Sequence, residues 1–338
     1  MVDSMTPLRI GDRVHVRNIG VEGLDRSWDG EVIEIDGSLV KVTMPGLPRD
    51  YLGGWAAKQD VIRVLPVLDL FSGIRGFSRG LKQAGGYETA AYCEIDPYRR
   101  QIIAQHDPNV PIFEDVNHVS RAALDARGIC RVGVITAGFP CQPVSGAAGR
   151  YAKGIHDPRW LWPHVARLVR ELRPEFVIVE NAPELLTVND GAALGEILGD
   201  LASLDYDAEV HVLPASAFGA WHQRERLWLV AYPSEIGLGE SEAIVTPPPY
   251  SQRHIPPSER VGEAELYALV TGGQVNRTGG RWQPEPGLCG VVDGVSDGLH
   301  QARIEALGDS IVPIIPEHIG RCINKFRASR ESRIAAAA

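Results

Sequence analysis

The sequence predicts an α/β fold: a mostly parallel sheet flanked by helices, preceded by a small β module and interrupted late by a short insert. Three observations carry that expectation. From Val64 onward, short apolar runs alternate with stretches of helical period, the rhythm of strand–helix units. Before Val64 the chain instead shows short strands that alternate apolar and polar residues. After Tyr232 the order stops: residues 233–300 are rich in Pro, Gly and Ser, with Pro247-Pro248-Pro249 and Pro256-Pro257 among them.

Taken in order, Leu8–Val16 and Glu31–Ile35 alternate as half-buried strands do, and Asp36-Gly37 supplies a hairpin turn before Leu39–Thr43. Strands of this kind loosely resemble SH3-like or KOW-like barrels. Such modules bind nucleic acid or partners, or serve as packing appendages, and the sequence leaves both roles open. Val67–Leu70 is the first strand of the main domain, and Gly76–Ala84 is a helix closing at Gly85-Gly86. Thr89–Cys93 is the second strand, with a helix from Pro97. Strands near 132–137, 176–179, 208–213 and 227–231 follow, separated by helices near 159–172 and 192–203. A helix from about Pro316 to Phe326, with Ile319, Cys322, Ile323 and Phe326 on one face, returns to the main domain, and Ala335–Ala338 reads as a frayed end. The expected organisation is therefore 1–63 as the β module, 64–232 as the main domain, 233–302 as an insert, 303–330 as a returning segment, and 331–338 as a tail.

The 338 residues suit one large domain plus one or two small modules. Five cysteines, with no CxxC pair and no His/Cys cluster at ligand spacing, speak against a disulfide framework and against a metal site. No apolar run approaches the roughly 18–20 residues that span a bilayer, and the N-terminus lacks the layout of a secretory signal. A soluble, cytoplasmic, monomeric protein with no membrane partner is expected. The formal charge of −9 argues mildly against a nucleic-acid partner. It is a whole-surface average, however, and a local basic cleft can coexist with an acidic exterior.

The chemistry concentrates at predicted strand ends. The run Val132–Ala137 leads into Gly138-Phe139-Pro140-Cys141-Gln142-Pro143. Two prolines around a cysteine bar both strand and helix, which leaves the thiol on a stiff turn at the carboxyl edge of the sheet. The run Phe176–Val179 ends in Glu180-Asn181-Ala182-Pro183. A nucleophile and an acid thus stand at the ends of two strands. Cys93 and Cys322, on apolar runs, read instead as small buried hydrophobes. Arg224 and Arg226 alternate with Gln223 and Glu225 before Leu227–Val230, so both guanidinia face one way, as they also would at a solvated strand edge. After the first strand, Phe71-Ser72-Gly73-Ile74-Arg75-Gly76 is a glycine-containing turn, and Glu94 at the end of the second strand can accept ribose hydroxyls.

These motifs, in this order, resemble the signature of the DNA cytosine-5 methyltransferases of bacterial or phage type: Asp69-Leu70-Phe71-Ser72-Gly73, Pro140-Cys141, Glu180-Asn181, Arg224-Glu225-Arg226, and the late Leu307-Gly308-Asp309-Ser310-Ile311-Val312-Pro313. The resemblance spans roughly residues 65 to 325. It implies a Rossmann-like, S-adenosylmethionine-dependent methyltransferase domain that transfers methyl to C5 of cytosine in duplex DNA. It implies Cys141 as the nucleophile on cytosine C6, and Glu180 as the acid that protonates N3. By the same resemblance Arg226 contacts the cytosine O2 and Arg224 sets the Glu180 side chain. It places Phe71, Ser72, Gly73, Gly76, Glu94, Ile95, Asp115, Val116, Pro140, Asp309, Ser310 and Val312 around the cofactor. Ser145–Arg150 becomes a loop that closes over the flipped base, and 233–302 the target-recognition insert, with Arg253, Arg260, Arg277, Arg281 and Trp282 toward DNA.

The chain departs from the family pattern at several points. Ala182 stands where Val is common and His222 where Gln is common. Arg75 replaces a glycine, so a Cβ in that turn is expected to weaken cofactor binding or to require a shifted backbone. Asp309 replaces the usual Asn, keeping an acceptor and losing the amide donor, and Asp309 or Ser310 also reads as a helix N-cap. A tRNA cytosine-5 methyltransferase and a catalytically silent DNA-binding relative are the rival readings. A cognate restriction endonuclease is a candidate partner, and the recognised base sequence is not legible.

Overall fold

The computed structural model describes residues 8–17, 28–44, 53–140, 154–218, 224–236, 243–246, 306 and 309–337, with side chains to 330. Five short strands come first: β1 (Arg13–Val16), β2 (Trp28–Asp36), β3 (Leu39–Val42), β4 (Gly54–Ala57) and β5 (Val61–Arg63). They form an antiparallel sheet in the order β4-β3-β2-β1-β5. The turn that joins β2 to β3 is Gly37-Ser38, one residue later than the Asp36-Gly37 expected, because Asp36 still pairs with Leu39; Gly37 takes the positive φ of 54° at the first turn position. Val14, Val16, Val32, Val40, Val42 and Val61 are its core.

The second sheet begins two residues after Arg63. Its strands are β6 (Leu65–Leu70), β7 (Tyr87–Cys93), β8 (Ile112–Phe113), β9 (Val134–Ala137), β10 (Phe176–Asn181), β11 (Tyr206–Pro214) and β12 (Glu225–Pro233). The order is β11-β12-β10-β9-β6-β7-β8. Strands β6 to β10 run parallel, and β12 lies antiparallel between β10 and β11. The helices are α1 (Gly76–Ala84), α2 (Pro97–His106), α3 (Arg121–Asp125), α4 (Trp162–Leu172), α5 (Ala192–Ser203) and α6 (Ile314–Ala337).

Both faces of this sheet are covered, which is why its strands read as continuous apolar runs. Successive residues divide between the faces: Val177 and Val179 of β10 pack toward α4 and α5, and Phe176 and Ile178 toward α1 and α6. Trp162 of α4 is fully buried and donates its indole N–H to Asp200 of α5 at 2.9 Å, so the polar edge of a large apolar ring is satisfied. The chain runs from β6 outward to β7 and β8, then crosses over β6 to continue with β9 and β10. That reversal puts a crevice beyond the carboxyl ends of β6 and β9, where open α/β sheets hold ligands.

The two sheets touch at the end of α1. The His15 ring of β1 lies so close over Gly85 that a Cβ there would meet it at 2.2 Å. His15 Nδ1 is 2.7 Å from Asp29, whose carboxylate also accepts the Gly86 amide at 3.2 Å. Arg327 of α6 donates to the Arg63 carbonyl at 2.9 Å.

The structure alters the expected elements at two places. Helix α4 starts at Trp162 rather than near 159, because Asp157 draws back the backbone N–H and guanidinium of Arg159 and Pro163 then opens the helix. Helix α6 runs 24 residues to Ala337, so 331–337 is helical rather than a tail. Ile315, Ile319 and Ile323 bury against α1, the Glu317–Arg321 pair at 3.1 Å supports the exposed face, and alanines continue a helix readily.

Candidate active site

The first half of the site is the stem of the Pro-Cys turn. Gly138, Phe139 and Pro140 follow β9, while Cys141 itself and 142–153 lie outside the described residues. So do His222 and Gln223, and the insert residues Arg253, Arg260, Arg277, Arg281 and Trp282. Phe139 is buried with its ring 5.4 Å from Trp160 and 6.5 Å from Phe71, edge to face in both pairs. Asn181, at the end of β10, donates its side-chain amide to the Phe139 carbonyl at 3.2 Å and accepts the Ala182 N–H at 2.8 Å. The Asn of Glu-Asn therefore ties the end of one strand to the stem of the thiol-bearing turn.

Glu180, one residue earlier, points at the same stem: a Cβ on Gly138 would stand 3.6 Å from its Oε2. Its side chain is 13% exposed, and Arg226 Nε sits 3.2 Å from Oε1. Burial raises its pKa to about 6, against the pull of Arg226 and Arg224, while Asp309 pushes it further up. A carboxyl in this position titrates about one unit below neutral pH, so a minor fraction still carries a proton there. Both arginines act on Glu180: Arg226 touches it, and Arg224 lowers its pKa while donating to the Ser310 carbonyl at 2.7 Å, which joins the start of β12 to the C-terminal segment. Arg226 belongs to β12, the strand paired with β10 (Glu180 opposite Trp228), and that register decides the contact.

The second half is the turn after β6. Phe71, Gly73 and Arg75 all take positive φ, at 54°, 54° and 73°. Ser72 donates to the Asp69 carbonyl at 2.6 Å. Glu94 accepts the Gly73 amide at 2.7 Å and the Asp96 amide at 2.9 Å, which uses one lone pair on each oxygen and leaves others for a ligand. Its pKa is raised chiefly by burial, opposed by these two amides and by Arg99. Ile95 beside it is 73% exposed, a bare apolar surface at the mouth. Asp115 accepts the Asn117 amide at 2.8 Å, which holds its carboxyl below the usual range, and Val116 behind it is buried.

The C-terminal segment closes the ring. Ile311 and Pro313 cross α1 at Gly76 and Gly80, where a Cβ would meet the Ile311 carbonyl at 2.5 Å and the Pro313 carbonyl at 2.2 Å. Ile311 also lies 3.1 Å from a Gly138 Cβ, and Val312 packs into the same cluster. Asp309 and Ser310 do not cap α6, which starts at Ile314; Asp309 pairs with Arg99 of α2 at 2.7 Å instead. The structure thus gathers Phe71, Ser72, Gly73, Gly76, Glu94, Pro140, Glu180, Arg224, Arg226, Asp309, Ser310 and Val312 into one connected set of contacts. Ile95 adjoins it through Glu94, and Asp115 and Val116 follow the β8 strand, whose Phe113 carbonyl accepts the Glu94 amide at 3.0 Å.

Its chemistry suits a nucleoside without phosphates. Glu94, Asp115 and Asp309 are acids, which would repel phosphate but accept hydroxyl and amino donors. The turn has room as well, since a Cβ on Gly73 would find nothing within 4 Å. Among the described residues no His, Cys, Asp and Glu cluster is arranged to hold a metal ion, and no helix is long and apolar enough to cross a membrane.

Two further groups were not among the expected site residues, one buried and one part-exposed. Asp69, fully buried, accepts from Ser78 of α1 and, at 2.8 Å, from Thr136 of β9, so it joins β6 to α1 and to the strand that leads into Pro140. Burial raises its pKa to about 7 despite both hydroxyls. Arg99 is the other. An acid inside an apolar strand signals the first, and nothing local signals the second.

Residues 65–268 match the family model for the C-5 cytosine-specific DNA methylases. The type II methyltransferase M2.BsuMI of Bacillus subtilis is 31% identical over 172 residues, covering 49% of this chain and 42% of that one. The type II methyltransferase M.HhaI of Haemophilus parahaemolyticus is 29% identical over 175 residues, covering 52% and 51%. The chain thus spans about half the length, or less, of these curated relatives. Among solved structures, the Entamoeba histolytica methyltransferase EhMeth superposes with a TM-score of 0.53 at 14% identity, over 79% of this chain and 99% of that one, a likeness of fold. With more than half of its length matched by that one model, and with the acid, the asparagine and the two arginines of the motifs assembled at the switch point of the sheet, the chain belongs to the C-5 cytosine-specific DNA methylase family.

Proposed function

We propose that this protein transfers a methyl group from S-adenosylmethionine to C5 of cytosine in a specific duplex DNA sequence. The observation that carries the reading is the placement of Glu180. It is a part-buried carboxyl with a pKa of about 6, paired with Arg226 and set against the stem of the Pro140-Cys141 turn.

Cytosine C5 is a weak nucleophile. Addition of the Cys141 thiolate to C6 moves electron density onto C5, and a proton from Glu180 to N3 keeps the ring from accumulating negative charge. When bound, S-adenosylmethionine supplies the methyl that C5 takes. Loss of the C5 proton and expulsion of the Cys141 thiolate then restore the aromatic ring. Arg226 and Arg224 keep Glu180 from rising further in pKa, so that it both donates and recovers a proton near neutral pH. The cofactor is held by Glu94 at the ribose, Ile95 and Asp115 at the adenine, and Ser310 and Val312 at the methionine end, with Phe71, Ser72, Gly73, Gly76, Pro140 and Asp309 forming the walls. The base must leave the duplex stack to reach these groups, at a few kcal/mol. Residues 233–302 are the target-recognition segment, and 1–63 form an SH3-like or KOW-like unit whose antiparallel meander supports that likeness. The type II relatives support a cognate restriction endonuclease as partner.

Labelled methyl donor offered with duplex DNA and tRNA in parallel tests the substrate. Incorporation into duplex DNA is expected; incorporation into tRNA alone, or none at all, would overturn the reading. Cys141→Ser is expected to abolish both transfer and the denaturation-resistant adduct with 5-fluorocytosine DNA.

A further inference from the structure

We propose that Asp107 is a positioning residue for the cofactor turn, holding residues 71–75 in their binding shape through its ion pair with Arg75; the proposal rests on the cofactor reading above. Arg75 stands directly before α1 with φ 73° and ψ 31°. Glycine takes this left-handed conformation freely, whereas a residue with a Cβ resists it. Phe71, at φ 54°, makes a second such residue in one short turn. A turn so built needs an anchor outside itself.

That anchor is visible. Arg75 Nη1 lies 2.6 Å from Asp107 Oδ2, with the two side chains only 17% and 20% exposed. The same oxygen accepts the Tyr92 hydroxyl at 2.5 Å. Tyr92 is fully buried in β7 and also meets Ser78, whose hydroxyl donates to Asp69. Asp107 is itself fixed just past the end of α2, its amide donating to the Ile103 carbonyl at 2.8 Å. The guanidinium is therefore tied through one carboxylate to β7, the second strand from the edge of the sheet. Arg79, one turn along α1, sets a like charge beside Arg75, and its own pKa is lowered by burial and by that neighbour. Without Asp107 the two cations would push the turn outward. Gly73 belongs to the same turn and holds Glu94 by its amide, so a displaced turn would misplace the ribose acceptor.

The test is a double-mutant cycle on the full chain, read by calorimetric titration of S-adenosylmethionine and by the melting temperature of the free protein. Asp107→Asn removes the charge and keeps an acceptor for Tyr92. It is expected to weaken cofactor binding about tenfold beside Arg75, and less than about twofold in the Arg75→Gly background, since glycine needs no anchor. Arg75→Ala, which keeps the strain and loses the tie, should bind at least as weakly as Asp107→Asn, and Arg75→Gly close to the parent. Equal loss from Asp107→Asn in both backgrounds, or parental affinity in Arg75→Ala, would overturn the proposal. A parent protein that binds no cofactor would instead sink the cofactor reading. The cycle on melting temperature then decides the positioning role by the same pattern: a drop beside Arg75 and none beside glycine supports it, and equal drops refute it.

Discussion

Replacing Glu180 by Gln puts the chemistry under the most direct strain. The side chain keeps its volume and its ability to lie beside Arg226, and it loses the proton that N3 requires. A positioned general acid accelerates by roughly 10²–10⁴-fold, and transfer should fall by that factor. The pH dependence makes the prediction sharper. With a pKa of about 6, the carboxyl carries its proton in roughly 3% of molecules at pH 7.5 and roughly 24% at pH 6.5. The Cys141 thiol makes the opposite demand, since a free thiol ionises near about 8.5 and only the thiolate attacks. Single-turnover methyl transfer, measured from about pH 5 to 10 so that product release does not mask chemistry, should therefore rise to about pH 6, run level to about pH 8.5 and fall above it. In Glu180→Gln the residual rate should follow the thiolate alone, rising through the whole range to about pH 8.5 with no fall beyond it. Asp309 raises the Glu180 pKa, so Asp309→Asn should move the lower break to lower pH. A loss of less than tenfold in Glu180→Gln, or an unchanged profile, would mean that N3 takes its proton from elsewhere.

Gly80→Ala places a Cβ 2.2 Å from the Pro313 carbonyl, so the C-terminal segment must shift; destabilisation of roughly 1–3 kcal/mol is expected in urea unfolding, and a variant as stable as the parent would show that the crossing is loose. Asp69 has a folded pKa of about 7, raised from 3.8 by burial, so its folded-state advantage is present below about pH 4 and lost as pH rises to about 7. Parent stability relative to Asp69→Asn should accordingly fall by roughly 2–4 kcal/mol over that window, and a difference flat with pH would refute the assignment. His15→Ala empties the space over Gly85 and leaves Asp29 with the Gly86 amide alone; a loss of roughly 1–3 kcal/mol is expected, whereas a change below about 0.5 kcal/mol would show that the contact between the sheets contributes little.

Much of this was legible because the signals are local. Helix α1 starts and ends where the Gly76–Ala84 pattern places it, and the hairpin turns at Gly37, one residue later than Asp36-Gly37 suggests. Pro140, Glu180 and Arg226 could be assigned to strand ends from their neighbours alone. Other features were hidden because they depend on pairs far apart in the chain. Arg75 looked like a liability until Asp107 stood beside it, 32 residues on, and Asp309 resembled a helix cap until Arg99, 210 residues away, took its charge. A paired charge and a solvated one are the same letter.

The sequence by itself determined the strand–helix rhythm, the change of pattern at Val64, and the chemical identity of the acid, the arginines and the turn residues, since apolar period and turn preference act over a few neighbouring positions. Only the tertiary structure decided how Arg226 meets Glu180, what ties the Pro140 stem to β10, and how a non-glycine residue is held at φ 73°. Those outcomes depend on the β10–β12 register and on the packing of α2 and the C-terminal segment around α1. Burial there converts ordinary carboxyls into groups that titrate near neutrality, and burial is a property of the folded chain rather than of any residue in it.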